Sequence, residues 1–341
     1  MSAIDLAEHG RVPDTLIRMA IRRLLKKRLG EEHASDPERQ AEVFAERIAM
    51  LSDSRIAIET EAANEQHYEV PAAFYQRVLG PHLKYSACLW ESGVSDLEDA
   101  EARMLSLTAE RAHLRDGQRV LELGCGWGSL TLWMGRNFPA SRITAVSNSS
   151  SQRAFIMAEA ERRGLANIEV VTCDVNRLEV EPGFDRVVSV EMFEHVRNYR
   201  QLLANIAGWL KPDGLLFVHI FCHRFLMYPF EAEGEDNWMG RHFFTGGLMP
   251  AADTLLCFQD DLKFCRRWLV DGRHYARTAR AWLDNLDADR EAAGATLAHS
   301  GEAGDDVMLQ RWRMFFMACE ELFAYRCGSE WMVGHYLFEN R

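Results

Sequence analysis

The stretch QRVLELGCGWGSLTLWMGRNF, residues 118–138, decides the fold. Its first part, QRVLELG (118–124), has the length and branched apolar content of a buried strand. Its second, SLTLWMGRNF (129–138), begins a helix. Between them stand Gly124, Gly126 and Gly128, in the turn where a strand hands over to a helix. Glycine there permits positive φ and lets a ligand approach the backbone closely. The spacing is G-x-G-x-G, whereas a turn that cradles a dinucleotide pyrophosphate reads G-x-G-x-x-G. A glycine-rich turn with no ligand is the alternative.

Outward from this unit the alternation repeats. SRITAVS (141–147) reads as a strand, SQRAFIMAEAERRG (151–164) as a helix, and IEVVTCD (168–174) and DRVVSVE (185–191) as strands. Helix YRQLLANIAGWLK (199–211) and strand GLLFVHIF (214–221) follow. Short β-branched runs alternating with helices predict a parallel, doubly wound α/β sheet. Such sheets bind ligands beyond the carboxyl ends of their strands. From 222 to about 260 the pattern breaks into an insertion, PFEAEGEDNWMGRHFFTGGLMP (229–250), rich in aromatics, acids and glycine. LKFCRRWLV (262–270) and EWMVGHYLFE (330–339) read as late strands around helices 275–290 and 305–324, and residues 289–306 as an exposed loop. Residues 14–50 read as helical, with apolar residues at 16, 17, 20, 21, 24 and 25 and Arg18, Arg22, Lys26 and Lys27 interleaved. Gly30 is a plausible stop. A basic amphipathic helix can lie on a membrane; the alternative is a helix packed on the rest of the chain with a solvated basic face. The expected division is 1–110 as a helical cap and ligand-covering segment, 111–221 as a Rossmann-like core, and 222–341 as a substrate-pocket insertion with the strands that complete the sheet.

The second informative stretch is VVSVEMFEHV (187–196). A core strand ends here in Glu191, Glu194 and His195. Burying charge costs several kcal/mol unless it is paired or neutralised. At the carboxyl edge of the sheet, a helical turn would bring the three side chains into one neighbourhood. Paired titratable groups in a cleft have shifted protonation and serve as acid or base. Edge polarity and helix capping are the alternatives.

The whole chain bounds the reading further. It has 341 residues, 48% hydrophobic and 26% charged, as expected of a globular protein with a real core. A net charge of −12 argues against nucleic acid or an anionic bilayer as the main partner. No apolar run reaches the length of a spanning helix, and the start lacks the layout of a signal peptide. The eight cysteines show no paired spacing, so reduced thiols in a cytoplasmic protein are expected. HIFCH (219–223) holds zinc-capable residues without a second cluster, which favours a structural or pocket role over a metal site.

Three long motifs then converge. LELGCGWGSLTLWM, NEQHYEVPAAFYQRVLGPHLKYSACLW (64–90) and FDRVVSVEMFEHV, with the ending SEWMVGHYLF, resemble the cyclopropane fatty acid synthase family of S-adenosylmethionine (SAM)-dependent enzymes. Within it they are most similar to the coclaurine/benzylisoquinoline N-methyltransferase branch. The resemblance covers most of the chain. It implies a seven-stranded SAM-dependent methyltransferase core with its last strand antiparallel, an N-terminal helical cap and an insertion after the fifth strand. It further implies that Tyr85 and Ser86 hold the methionine carboxylate and that Gly124 and Gly126 line the same ligand. Asn148, Ser149 and Gln152 would supply neutral hydrogen bonds where many methyltransferases use an acid for the ribose. Asp174 would accept from the adenine amino group, with Val175 donating through its backbone; a helix cap is the alternative for Asp174.

The implied reaction is methyl transfer from SAM to a secondary or tertiary amine, a tetrahydroisoquinoline-like small molecule, yielding S-adenosyl-L-homocysteine and needing no metal. An ammonium has no lone pair, so Glu194 and His195 would take or orient its proton while Glu191 attracts the cation. Tyr75, Phe230, Trp238, Phe243, Phe244, Phe258, Trp331 and Tyr336 are candidates for a substrate pocket, since rings pack on rings and face cations. The rival is cyclopropanation of unsaturated phospholipid chains. That branch resembles G-M-F-E-H where this chain has Glu191, and uses bicarbonate, which a carboxylate at 191 would repel; His219 matches a bicarbonate-contacting position and keeps the rival open. Glu231, Glu233, Glu235 and Asp236 would add to an acidic mouth or form a solvated run. The exposed faces of residues 14–50 leave a homodimer open.

Overall fold

The computed structural model describes residues 2–51, 54–58, 70–234, 237–297 and 305–341. The start of the NEQHYEV motif, together with Glu235 and Asp236, lies outside them. The core is one seven-stranded sheet in the order β3-β2-β1-β4-β5-β9-β8. Strands β1 (Arg119–Leu123), β2 (Arg142–Ser147), β3 (Ile168–Thr172), β4 (Phe184–Val190) and β5 (Leu210–His223) run parallel. Strand β9 (Trp331–Asn340) is antiparallel to both β5 and β8 (Leu262–Val270). These are the expected architecture and the expected reversed last strand.

The near-continuous apolar composition of the central strands follows from burial on both faces. Leu121, Leu123 and Val187 enter the core on one side, and Val120 and Val188 enter the other. That alternation is the period of two of a pleated strand. Helices α6 (Ser129–Asn137), α7 (Ser150–Arg162) and α8 (Tyr199–Trp209) follow β1, β2 and β4. The insertion carries a two-stranded ribbon, β6 (Tyr228–Pro229) with β7 (Leu248–Met249), and the short helix α9 (Trp238–His242).

The two flanking segments share one core. Helices α1 (Ala3–Glu8) and α2 (Asp14–Glu31) pack with α10 (Gly272–Ala288) and α12 (Asp305–Ala324) around Trp282, Trp312, Phe315 and Phe316. Arg18 on α2 pairs with Glu320 and Glu321, both at 2.9 Å. Arg313 on α12 reaches Asp14 at 2.7 Å and Asp287 at 2.6 Å. Part of the basic face of α2 is therefore turned inward onto acids of the C-terminal helices, while Leu16 and Met19 are exposed. Helix α3 (Pro37–Met50) is a separate helix, so the 14–50 stretch breaks after Glu31, one residue past Gly30. Helices α4 (Ala72–Val78) and α5 (Leu97–Arg111) bring the chain back toward the sheet.

One expectation is corrected. Within 289–306, residues Arg290–Leu297 form helix α11, with Ala293 and Leu297 buried at i,i+4. An alanine-rich turn with a narrow apolar stripe carries little periodic signal, which is why the sequence reads as loop. Among the described residues, no helix is long and apolar enough to cross a membrane.

The first strand-to-helix turn depends on Gly124, whose φ is +79°. A Cβ there would lie 2.7 Å from that of Met192. Gly124→Ala therefore combines strain with a collision at the sheet edge. It is expected to destabilise the fold by roughly 1–3 kcal/mol, read as a lowered Tm in thermal denaturation.

Candidate active site

Two connected cavities open over the carboxyl ends of β1, β2 and β4, where a doubly wound sheet places its ligand. The first is lined by Gly124, Gly126, Asn148, Gln152, Asp174 and Val175, with Ala57, Cys173, Met192, His195 and Thr245. The second is lined by Lys84, Tyr85, Ser86, Thr108, Glu122, Trp127 and Ser129. Glu191, Glu194, His195, Phe244, Tyr275, Trp282 and Phe315 line it as well. Gly124, Gly126, Gln152, Met192 and His195 border both, so the two spaces meet at the glycine turn.

Most of the expected ligand-binding residues fall in this one place. Gln152 is fully buried and accepts from Ser147 Oγ at 2.6 Å. Asp174 lines the first cavity and also caps the turn after β3, its Oδ1 accepting from Asn176 N and Nδ2, both at 2.8 Å. Asn176 in turn bonds Ala57 N at 3.1 Å and Ala57 O at 3.0 Å, which pins the cap segment at the cavity rim. Ser149 is the exception: its Oγ caps α7 through Gln152 N at 3.3 Å, and it lines neither cavity.

Residues that sequence reasoning missed fill the rest. Lys84 is buried and donates to Ser86 Oγ. Glu122 ends β1 buried, accepting from Thr131 Oγ1 at 2.6 Å, and burial pushes its carboxyl up to about 8. Thr108 Oγ1, Ser129 Oγ and Trp282 Nε1 are buried on the cavity wall with no protein partner. A buried carboxylate, a buried ammonium and orphaned hydroxyls beside a glycine turn fit a ligand with an amino-acid end. The signal was present for Glu122, inside LELGCG itself. Trp282 and Tyr275 lie far along the chain, and no local pattern marks them.

The acidic cluster is assembled as expected, though in an unexpected shape. Residues Phe193–His195 form one 3₁₀ turn, and Glu191 precedes it with φ +47°. A left-handed conformation costs a non-glycine residue about 1–2 kcal/mol. Glu191 Oε1 accepts from Ala87 N at 3.3 Å and lies 3.2 Å from His219 Nε2, and Oε2 accepts from Tyr275 Oη at 2.6 Å. Burial pushes Glu191 up to about 7, with the nearby Lys84 ammonium opposing it. Glu194 is pushed well above the usual carboxylate range by burial and by the charge of Glu191, and its Oε2 is a buried oxygen with no protein partner. The His195 ring lies parallel to Phe244 at 6.0 Å.

The expected aromatic pocket divides in two. Phe244 lines the cavity, and Phe230 stacks behind it at 5.1 Å. Tyr75 supports Tyr85 at 5.2 Å and Trp127 at 5.3 Å from a second layer. Phe243 also sits behind the wall, stacked on Phe315 at 4.3 Å. The others line neither cavity, and their polar ends or faces meet partners elsewhere. Trp238 Nε1 donates to Glu8 Oε1 at 2.7 Å, Trp331 Nε1 to Tyr228 Oη at 2.9 Å, and Tyr336 Oη to Ala252 O at 2.8 Å. Phe258 packs on Tyr199 at 5.6 Å, in the core across the sheet. His219 is buried behind Glu191 rather than on the cavity wall. In HIFCH, His223 Nδ1 accepts from Phe225 N and Leu226 N at 3.0 and 2.9 Å, a turn-forming role.

A parallel sheet in this order, ending in a reversed strand and carrying its cavity over a G-x-G-x-G turn, defines a SAM-dependent methyltransferase. The chain belongs to the mycolic acid cyclopropane synthetase family, whose model matches residues 57–329. It is similar to (S)-coclaurine N-methyltransferase of Thalictrum flavum subsp. glaucum, with 39% identity over 339 residues, 98% of this chain and 94% of that one. A crystal structure of coclaurine N-methyltransferase bound to N-methylheliamine and SAH matches with a TM-score of 0.94 at 36% identity, over 98% of each chain. Cyclopropane-fatty-acyl-phospholipid synthase of Escherichia coli (strain K12) is more distant, 28% identical over 274 residues, 79% of this chain and 66% of that one. The enzyme therefore belongs with the SAM-dependent N-methyltransferases rather than the lipid enzymes of its family.

The carboxylate pair sets a pH dependence. Burial raises Glu191 to about 7 and lifts Glu194 well above the usual carboxylate range. Protons are therefore taken up, and the basic form lost, as pH falls through the neutral range rather than near 4.5. The acid limb of kcat/KM against pH is expected near or above 7, measured by SAM-dependent methyl transfer across pH 5–10.

Proposed function

We propose that the protein transfers a methyl group from SAM to the nitrogen of a small secondary or tertiary amine of tetrahydroisoquinoline type. In this reading Glu194 is the proton acceptor, His195 its partner, and Glu191 the anchor of the substrate's positive charge. The observation that carries it is Glu194 Oε2, a buried oxygen with no protein partner on a cavity wall that also carries His195, Phe244, Tyr275, Trp282 and Phe315. An unpaired buried carboxylate with a raised pKa is a poor structural element and a good base. The named activity of the Thalictrum relative and the N-methylheliamine in the related crystal structure support an amine of this class.

Bound SAM would supply an electrophilic methyl on its sulfonium. The chain's own residues do the rest. Tyr85 and Ser86, with Lys84 behind them, would hold the methionine carboxylate, and Glu122 with Thr108 and Ser129 its amino group. Gly124 and Gly126 allow close approach, Asn148 and Gln152 would meet the ribose, and Asp174 with the Val175 backbone the adenine. Ser149 contributes by capping the helix that presents Gln152. Tyr275, Phe244, Trp282 and Phe315 form the wall for the amine's rings, and exclude water from the attack line. Rate then comes mainly from positioning donor and acceptor, plus removal of the ammonium proton by Glu194.

Lipid chemistry is the weaker alternative here. Glu191 already occupies three donors, Ala87 N, Tyr275 Oη and His219 Nε2, that a small oxyanion base would need. A cytoplasmic setting goes with this reading, since the cysteines are free thiols.

Glu194→Gln keeps the shape and removes the base. It is expected to lower kcat by about 100- to 10,000-fold with SAM affinity by calorimetry unchanged. Methyl-labelled SAM offered with tetrahydroisoquinolines and with cis-unsaturated phospholipid vesicles tests the substrate class. Label in a small basic product is expected; label confined to the lipid would overturn the reading.

A further inference from the structure

A line of hydrogen bonds leads from the protein surface to Glu191. Arg111, the last residue of α5, is half-buried beneath Trp268, its guanidinium 5.0 Å from the ring centre. One of its nitrogens lies 2.8 Å from His335 Nδ1. His335 Nε2 lies 2.9 Å from His219 Nδ1, the two histidines standing opposite each other across the β5–β9 pairing. His219 Nε2 lies 3.2 Å from Glu191 Oε1. Both imidazoles are fully buried.

The chemistry of Arg111 fixes the direction of every bond in this line. A guanidinium donates and cannot accept, so His335 Nδ1 must be the acceptor. A neutral imidazole with an accepting Nδ1 carries its proton on Nε2. His335 therefore donates to His219, and His219 donates to Glu191. Burial keeps both rings neutral, well below the ordinary histidine range. A donor aimed at a carboxylate favours its ionised form.

We propose that Arg111, His335 and His219 form a one-way polar relay of positioning residues that holds Glu191 as the carboxylate, and through that charge keeps Glu194 basic. This rests on the N-methyltransferase reading for its consequence in catalysis, though not for the relay itself. Other groups facing Glu191 are Lys84, Tyr275, Glu194, Cys88 and Cys319. Arg111 itself is faced by Glu110 and Arg266. Of these, Tyr275 and Lys84 also favour the carboxylate, and Glu194 opposes it. Arg111 sets the tautomers of both histidines from outside the cavities, in the same sense as an ionised Glu191 at the other end of the line.

Arg111→Met removes the donor. The relay can then reverse, with His219 Nε2 accepting from a protonated Glu191. The acid limb of kcat/KM against pH reports formation of the doubly ionised pair, with Glu191 charged to hold the cation and Glu194 free to take the proton. A Glu191 that is harder to ionise is expected to move it upward by roughly half to one unit, while SAM affinity at pH 9 stays as in wild type. Arg111→Lys restores a donor-only cation and is expected to return the limb to its wild-type position. Selective ¹⁵N-histidine NMR on the intact protein supplies a readout independent of substrate, with both His219 and His335 protonated on Nε2 in wild type and shifted toward Nδ1 in Arg111→Met. An unmoved acid limb in folded Arg111→Met overturns the proposal, as does an Nδ1–H tautomer at either histidine in wild type. An Arg111→Lys profile that follows Arg111→Met assigns Arg111 to packing and overturns it as well. If no amine is methylated yet the tautomers are as stated, the substrate reading fails and the relay stands.

Discussion

A negative charge held out of water at Glu191 is the constraint around which the site is arranged. Removing a carboxylate from solvent costs several kcal/mol, and its left-handed backbone adds a further cost. The fold meets this with donors from three separate parts of the chain. Ala87 N comes from the segment before α5, Tyr275 from α10, and His219 from β5. None of these is near Glu191 in sequence, so protein donors replace the water around this carboxyl only once cap and sheet have closed on each other. The same closure leaves Glu194 beside it, buried and incompletely paired, which is the condition that makes a carboxylate a base at neutral pH.

That closure depends on the helical cap. The N-terminal helices are tied to the C-terminal ones by part-buried ion pairs, Arg18 with Glu320 and Glu321 and Arg313 with Asp14 and Asp287. Exposed pairs of this kind would contribute little, but partial burial and networked geometry raise their value. Beneath them, Trp282, Trp312, Phe315 and Phe316 form a shared aromatic core that also serves as the back of the cavity. Cavity wall and cap core are thus one packed unit. A change in either the cap or the insertion reaches the cavity through ring contacts such as Phe243 on Phe315 and Phe244 on Phe230.

Legibility in the sequence followed the range of the interactions. The glycine turn, the parallel strands and the acidic turn at 191–195 are local, and their spacing announced them. Glu122 stands in the same motif, but nothing local separates a single ligand-facing acid in a strand from an edge residue. The aromatic candidates show the limit: Phe244 reached the cavity while Trp331, Tyr336, Trp238 and Phe258 went to distant partners. Aromatic composition says that rings will be buried, and nothing in a local window says against what.

The sequence by itself determined the sheet, its ligand edge and the family, because alternating apolar runs and a G-x-G-x-G turn act over a few residues each. It also placed two carboxylates and an imidazole at that edge. Tertiary structure decided what those groups became. Only when β9 pairs with β5 does His335 meet His219, and only when α5 lies over that pairing does Arg111 reach them. Only when α10 closes does Tyr275 meet Glu191. Protonation is a property of such neighbours and of exclusion from water, and both arise from residues 84 to 224 positions apart.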